Sequence, residues 1–276
     1  MVFKNIIKKA EFTVLFLILT SVIFTYRASA LSIGIDKPHI DVISEPGTSE
    51  SGVIQVRNKG EISIAVEVSI EDWIYDKEGK RVFCLPNSTP LSCADWIDLS
   101  PRRMVIAPNE AMDFNYTVSV PQDAIGGHYA VIFFSAQSAE EETLEGSGVR
   151  FIGRIGSIVY QETEGRVNKI GSVRNFEVSK PEKNKPFLAK YQFKNEGNTY
   201  IKFIGTVNIM DKKGNLYGNA ESEKGIGTLP KDEREDTIKW FGSLPEGDYD
   251  LILTVDMGEG TIPIVKQASI SIEEAI

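Results

Sequence analysis

Histidine and cysteine, the side chains that most often hold metals or move protons near neutral pH, are scarce in this chain, with two of each in 276 residues. His39 follows Lys37-Pro38, His128 sits inside Gly126-Gly127-His128-Tyr129, and neither has a motif partner. Gly146-Ser147-Gly148 lacks the Gly-x-Ser-x-Gly frame of a nucleophile turn. Glu140-Glu141-Glu142 lacks the alternating Asp spacing of a calcium loop and reads as solvated charge. These absences leave no expected catalytic residue, no metal site and no cofactor, so the expectation is a protein that is not an enzyme. Helical periodicity is missing from residue 31 onward, and so is a second long apolar run.

The one long apolar run lies at the N-terminus. Lys4, Lys8 and Lys9 precede Phe12–Tyr26, and Ala28-Ser29-Ala30 has the small-x-small pattern that signal peptidase reads. The run is 15 residues long, whereas a bilayer span takes roughly 20. Residues 1–30 are therefore expected to be a signal peptide cleaved after Ala30, leaving a periplasmic or extracellular chain without a membrane span. An uncleaved anchor is the competing reading, and the mass of the exported protein separates the two. Removing the segment takes away four basic residues and one acidic one, moving the formal charge from −9 to −12. A chain so acidic, with no cationic stripe, is a poor ligand for nucleic acid or an anionic membrane face.

Cys84 and Cys93 bracket one polar loop. In an oxidising compartment such a pair is expected to form a disulfide, contributing roughly 2.5 kcal/mol by closing a short loop. The rival is a metal or redox pair, but no histidine lies nearby and the spacing is not Cys-x-x-Cys.

What the chain does have is internal repetition. Gln55-Val56-Arg57-Asn58-Lys59-Gly60 returns 137 positions later as Gln192-Phe193-Lys194-Asn195-Glu196-Gly197. Three more landmarks recur in the same order: Asp76-Lys77-Glu78-Gly79 with Asp211-Lys212-Lys213-Gly214, Ala107-Pro108-Asn109-Glu110 with Leu229-Pro230-Lys231-Asp232, and Gly127-His128-Tyr129 with Gly247-Asp248-Tyr249. Such matches in register imply two copies of one domain. Ile62, Ile64, Val66, Val68 and Ile70 alternate with less apolar residues, as do Met112, Phe114, Tyr116, Val118 and Val120. Period two means strands with one buried face. Short strands separated by Gly, Pro and Asn give an all-β chain of two tandem immunoglobulin-like antiparallel sandwiches. The copies are expected at 31–163 and 164–276, and Tyr129 and Tyr249 are expected to be tyrosine corners.

The first copy resembles periplasmic pilus-chaperone-like (PapD-like) proteins over about residues 31–160. The likeness is carried by Gly34-Ile35, Pro46-Gly47, Val56-Arg57-Asn58, the run Ala94–Arg102, Val118-Ser119-Val120-Pro121 and Gly126-Gly127-His128-Tyr129. The Gly-Gly-x-Tyr element and the two-sandwich plan are also similar to the paired extracellular domains of WxL-type cell-surface proteins. The first resemblance implies a factor that holds an exported subunit by lending it a strand, and grips the subunit's terminal carboxylate on two basic side chains between the domains. The matching strand would carry Val149, Phe151 and Ile155 on one face, with Lys37, Arg150 and Arg154 as the basic candidates by position. Ile152 and Ile158 make the other face apolar too, so a strand buried inside its own domain is the competing reading. The alternative function is a structural or adhesive envelope module that binds cell wall or another surface protein through loops such as Cys84–Cys93.

Overall fold

The computed structural model describes residues 31–139, 152–179 and 185–273. The signal segment, Glu140-Glu141-Glu142, Gly146-Ser147-Gly148 and the strand candidates Val149, Arg150 and Phe151 lie outside the described residues.

The first sandwich is built from β1 (Ile33–Ile35), β2 (His39–Ser44), β3 (Ser49–Asn58), β4 (Ile64–Tyr75), β5 (Arg81–Cys84), β6 (Ile97–Ser100), β7 (Arg103–Ile106), β8 (Ala111–Ser119), β9 (Gly127–Ser138) and β10 (Gly153–Thr163). One sheet has the order β1-β3-β8-β6 and the other β2-β10-β9-β4-β5, with β7 also on β4. Pro38 explains why the first extended stretch is shared between sheets, since it has no N–H to give a ladder. Before it, β1 pairs antiparallel with β3; after it, β2 runs parallel to β10. Alternation sets the core: Phe114, Tyr116 and Val118 of β8 point inward against Ile54 and Val56 of β3, while Asp113 and Asn115 stay outside. Each such side chain stabilises the sandwich by about 1.5–3 kcal/mol relative to exposure. Strand β9 is apolar on both faces because both are covered, Ile132 and Phe134 by this core and Tyr129, Val131 and Phe133 by a second cluster.

The second sandwich follows with β11 (Gly171–Val178), β12 (Phe187–Asn195), β13 (Ile201–Asp211), β14 (Leu216–Glu221), β15 (Ile226–Thr228), β16 (Glu233–Trp240), β17 (Gly247–Asp256) and β18 (Ile264–Ile272). Its sheets are β11-β12-β16 and β14-β13-β17-β18, with β15 on β13. Phe193 stacks on Phe203 at 4.1 Å in its core. The chain is thus all-β, two sandwiches in tandem, and its one helical turn among the described residues is a 3-10 turn at Ala94–Trp96.

Three of the four repeated landmarks do the same work twice. The amide of buried Asn58 donates to the carbonyls of Ile62, Ile106 and Ala107 and its oxygen accepts from Gly60 N. Asn195, also buried, donates to Thr199 and Thr228 and accepts from Gly197 N. Asn109 and Lys231 take positive φ in matching turns, closed by Glu110 N to Ala107 O and Asp232 N to Leu229 O. Gly79 and Gly214 supply the positive φ of the two Asp-x-x-Gly turns.

The fourth landmark diverges. Tyr249 is a tyrosine corner, donating to Pro245 O at 3.0 Å. Tyr129 is not. Its hydroxyl accepts from Tyr200 N at 2.5 Å, reaching into the second sandwich instead of back along its own chain. The expected disulfide is likewise corrected, for Cys84 and Cys93 are both free thiols. The loop between them is ordered by buried Asp72, whose carboxylate accepts from Ser88 N, Thr89 N and Ser92 Oγ. Cys93 itself is core, and burial, reinforced by Asp72, pushes its thiol far above its ordinary range, so it stays protonated and inert.

Candidate functional site

Strand β10 has two unlike halves. From Ile158 to Thr163 it is held on both sides, by β9 and by β2, with Ile158 N donating to Pro38 O at 3.0 Å. From Gly153 to Ser157 it pairs with β9 alone among the described residues. The cause is local: the chain leaves the sheet at Lys37-Pro38 to reach β1, so β2 starts too late to cover this stretch. An uncovered edge presents backbone N–H and C=O groups to any strand laid beside it.

The candidate residues fall in different places around this edge. Ile155 faces inward and is partly buried against the first core. Arg154 points to the opposite face, pairs with Glu71 and lies 3.5 Å over the Phe133 ring. Lys37 is exposed at the crossover, and its carbonyl accepts from Ser157 Oγ at 2.7 Å. Lys37 and Arg154 thus have different partners among the described residues. Ile158, taken from the sequence as a mark of a doubly buried strand, packs with Trp73, Tyr129 and Leu229 under the second sandwich.

The locked half of β10 borders a cleft of about 710 Å³ between the sandwiches, with Arg81, Tyr129, Tyr160, Lys169, Tyr200 and Lys202 in its lining. Arg81 stacks 4.6 Å over Trp73 and donates to the Tyr160 hydroxyl at 3.1 Å. Glu162 accepts from Thr199 at 2.7 Å and faces Lys169 at 3.8 Å. Burial raises the Tyr129, Tyr160 and Tyr200 phenols above their ordinary range, Arg81 partly offsetting this at Tyr160, so all three are neutral hydrogen-bonding groups. Arg81, Lys169 and Lys202 against Asp41 and Glu162 make the lining net cationic in an otherwise acidic protein. Such a cleft can hold an anionic group.

The cleft walls are fixed by side chains of both sandwiches. Gly127 N donates to Asn198 O at 2.8 Å, Tyr200 N donates to Tyr129, and Leu229 packs among Trp73, Tyr129 and Ile158. Arg234 of β16 stacks 4.3 Å over Tyr75 and donates to Asp76 O at 3.2 Å. Sequence reasoning missed Arg81, Tyr160, Tyr200 and Lys202 because each sits in an ordinary strand or, for Tyr200, in the connection just before one. No local spacing links positions 81, 160 and 202.

No protein-family model matches this chain, and no characterised protein matches it in sequence. Among solved structures it resembles PapD-like fimbrial chaperones over most of its length at low identity. One is the class 5 fimbrial chaperone CfaA, at 13% identity and a TM-score of 0.47, covering 86% of this chain and 98% of that one. Another is the Salmonella enterica SafA pilin in complex with the SafB chaperone, at 14% identity and 0.42, covering 87% and 97%. A third is the Pseudomonas aeruginosa CupB2 chaperone, at 11% and 0.39, covering 83% and 97%. No helix among the described residues is long and apolar enough to cross a membrane.

Proposed function

We propose that this protein is a non-enzymatic, extracytoplasmic chaperone-like factor that holds exported protein subunits for assembly at the cell surface by strand addition. The observation that carries the reading is the half-covered β10, whose Gly153–Ser157 stretch has one strand neighbour among the described residues while the residues after it have two. A subunit strand paired there completes the ladder through main-chain hydrogen bonds, and alternate side chains choose the guest. The edge leads straight into the cationic cleft, where Arg81 and Lys202, flanked by the Tyr160 and Tyr200 hydroxyls, suit a carboxylate at the end of the subunit chain. We propose these two, rather than Lys37 and Arg154, as the basic anchors, with Val149 and Phe151 as further candidates for partner contact by sequence.

The test is copurification of an exported protein with the full mature chain, and with Arg81→Glu/Lys202→Glu and Phe151→Glu variants. Both variants are expected to melt with the wild type and to lose the partner. A variant that unfolds, or that keeps its partner undiminished, removes its element from the reading. Retention of the wild type on isolated cell wall, with no protein partner, would favour an adhesive envelope module instead.

A further inference from the structure

We propose that Gly153 is a specificity notch, in which the missing side chain on the uncovered edge of β10 receives a bulky apolar side chain from an extended segment of the bound partner. The inference rests on the strand-addition reading and names what the edge selects. Glycine inside a strand costs about 0.5–1 kcal/mol relative to alanine, so a strand glycine calls for a reason. Three are available: a positive φ, a neighbour packed too close for a Cβ, or an approach from outside.

The first does not apply, because Gly153 is not among the positive-φ glycines. Nor does the second. Among the described residues, a Cβ at Gly153 would meet Ile33 Cγ2 alone, at 3.8 Å, an ordinary contact. Gly156, three residues on, is the opposite case, since a Cβ there would stand 2.8 Å from Phe133 Cε1 and 2.9 Å from Val131 Cγ2. One glycine is required by the sandwich and the other is not. Approach from outside remains, and Gly153 lies where β10 has no second strand neighbour among the described residues.

The surroundings set the chemistry of the visitor. Gly153 and Ile155 share one face of β10, and Ile155 and Ile33 are both partly buried against the first core. β1 ends its own sheet, so the seam between β1 and the uncovered part of β10 is open at this point. A strand added to β10 sets every second side chain along that row. Opposite Gly153, a leucine, isoleucine or phenylalanine fills the space between Ile33 and Ile155. A guest glycine leaves it empty, and a guest polar group enters it without a hydrogen-bond partner.

The experiment uses the full mature chain and labelled peptides of sequence acetyl-Thr-Val-Thr-X-Thr-Val-Thr-amide, with X glycine, alanine, leucine or phenylalanine, followed by fluorescence anisotropy. Wild type is expected to prefer leucine or phenylalanine over glycine about tenfold, roughly 1.4 kcal/mol. Gly153→Ile should lose or reverse that preference. Gly153→Ala should fall between, and thermal melts of both variants should match or exceed wild type. The same preference in wild type and Gly153→Ile overturns the notch while leaving strand addition standing. No binding of any peptide by either protein overturns strand addition, and the notch with it. A concentration-dependent dimer of wild type that Gly153→Ile abolishes, with no side-chain preference among peptides, overturns the assignment to a foreign partner in favour of a second copy of the chain.

Discussion

Asn58 donates its side-chain amide to three backbone carbonyls and accepts from Gly60, and Asn195 repeats the arrangement with two carbonyls and Gly197, both out of contact with water. Removing either amide strands several buried carbonyls at about 1–3 kcal/mol for an unsatisfied group. We expect Asn58→Ala and Asn195→Ala each to lower stability by about 3 kcal/mol in urea titrations. Asp at either position should cost more, because an ionised carboxylate cannot donate to a carbonyl. His128 carries a different residue-scale signature. Its imidazole lies against Trp96 with ring centroids 4.2 Å apart, and burial holds its pKa below the ordinary value, a hydrogen bond with Gln161 offsetting part of that. A histidine with a lowered folded pKa is protonated more readily when unfolded. Its contribution to stability is present above pH of about 6.5 and is lost as pH falls toward the folded value. The urea midpoint should therefore drop below that pH, and His128→Asn should flatten the drop.

At the scale of the element, β10 shows one strand divided by its neighbours. Amides of Ile158–Thr163 lie between β9 and β2, whereas those of Gly153–Ser157 have β9 on one side only among the described residues. Hydrogen exchange should find fast exchangers within Gly153–Ser157 and uniformly slow ones beyond Ile158, and a bound partner should slow the first group alone. Equal protection along the whole strand in the free protein would mean that the edge is already covered. The two glycines of β10 separate packing from edge effects in the same way. Gly156→Ala forces a Cβ against Phe133 and Val131 and should cost about 1–3 kcal/mol, while Gly153→Ala should be neutral or slightly stabilising in the same denaturation series.

The whole molecule turns on how two similar sandwiches come to meet along one line. Tyr129 and Tyr249 hold matching places in the two copies, yet one bonds across the junction and the other within its own corner. Tyr129→Phe leaves the part-buried Tyr200 N–H without its acceptor, and we expect small-angle scattering to report a more variable angle between sandwiches. Tyr249→Phe should lower the stability of the second sandwich without changing the scattering. If both substitutions left the scattering alone, Tyr129 would not be what holds the cleft walls together. Arg234 over Tyr75 and Leu229 among Trp73, Tyr129 and Ile158 are further ties of that junction.

The amino-acid sequence determined the architecture of each sandwich, because alternation and turn chemistry act over a few residues. The period-two runs through Ile64–Val68 and Phe114–Val118 are strands, and the repeated Asn-x-Gly and Asp-x-x-Gly segments fold alike in both copies. It did not reveal that Asp72 orders the loop between the cysteines, nor that Tyr129 reaches Tyr200, since both depend on partners brought in from other strands. Tertiary structure alone decided which half of β10 is covered and which cations face the cleft. Arg81, Lys169 and Lys202 share a wall only once two independently patterned sandwiches have docked, and docking is fixed by side chains far apart along the chain.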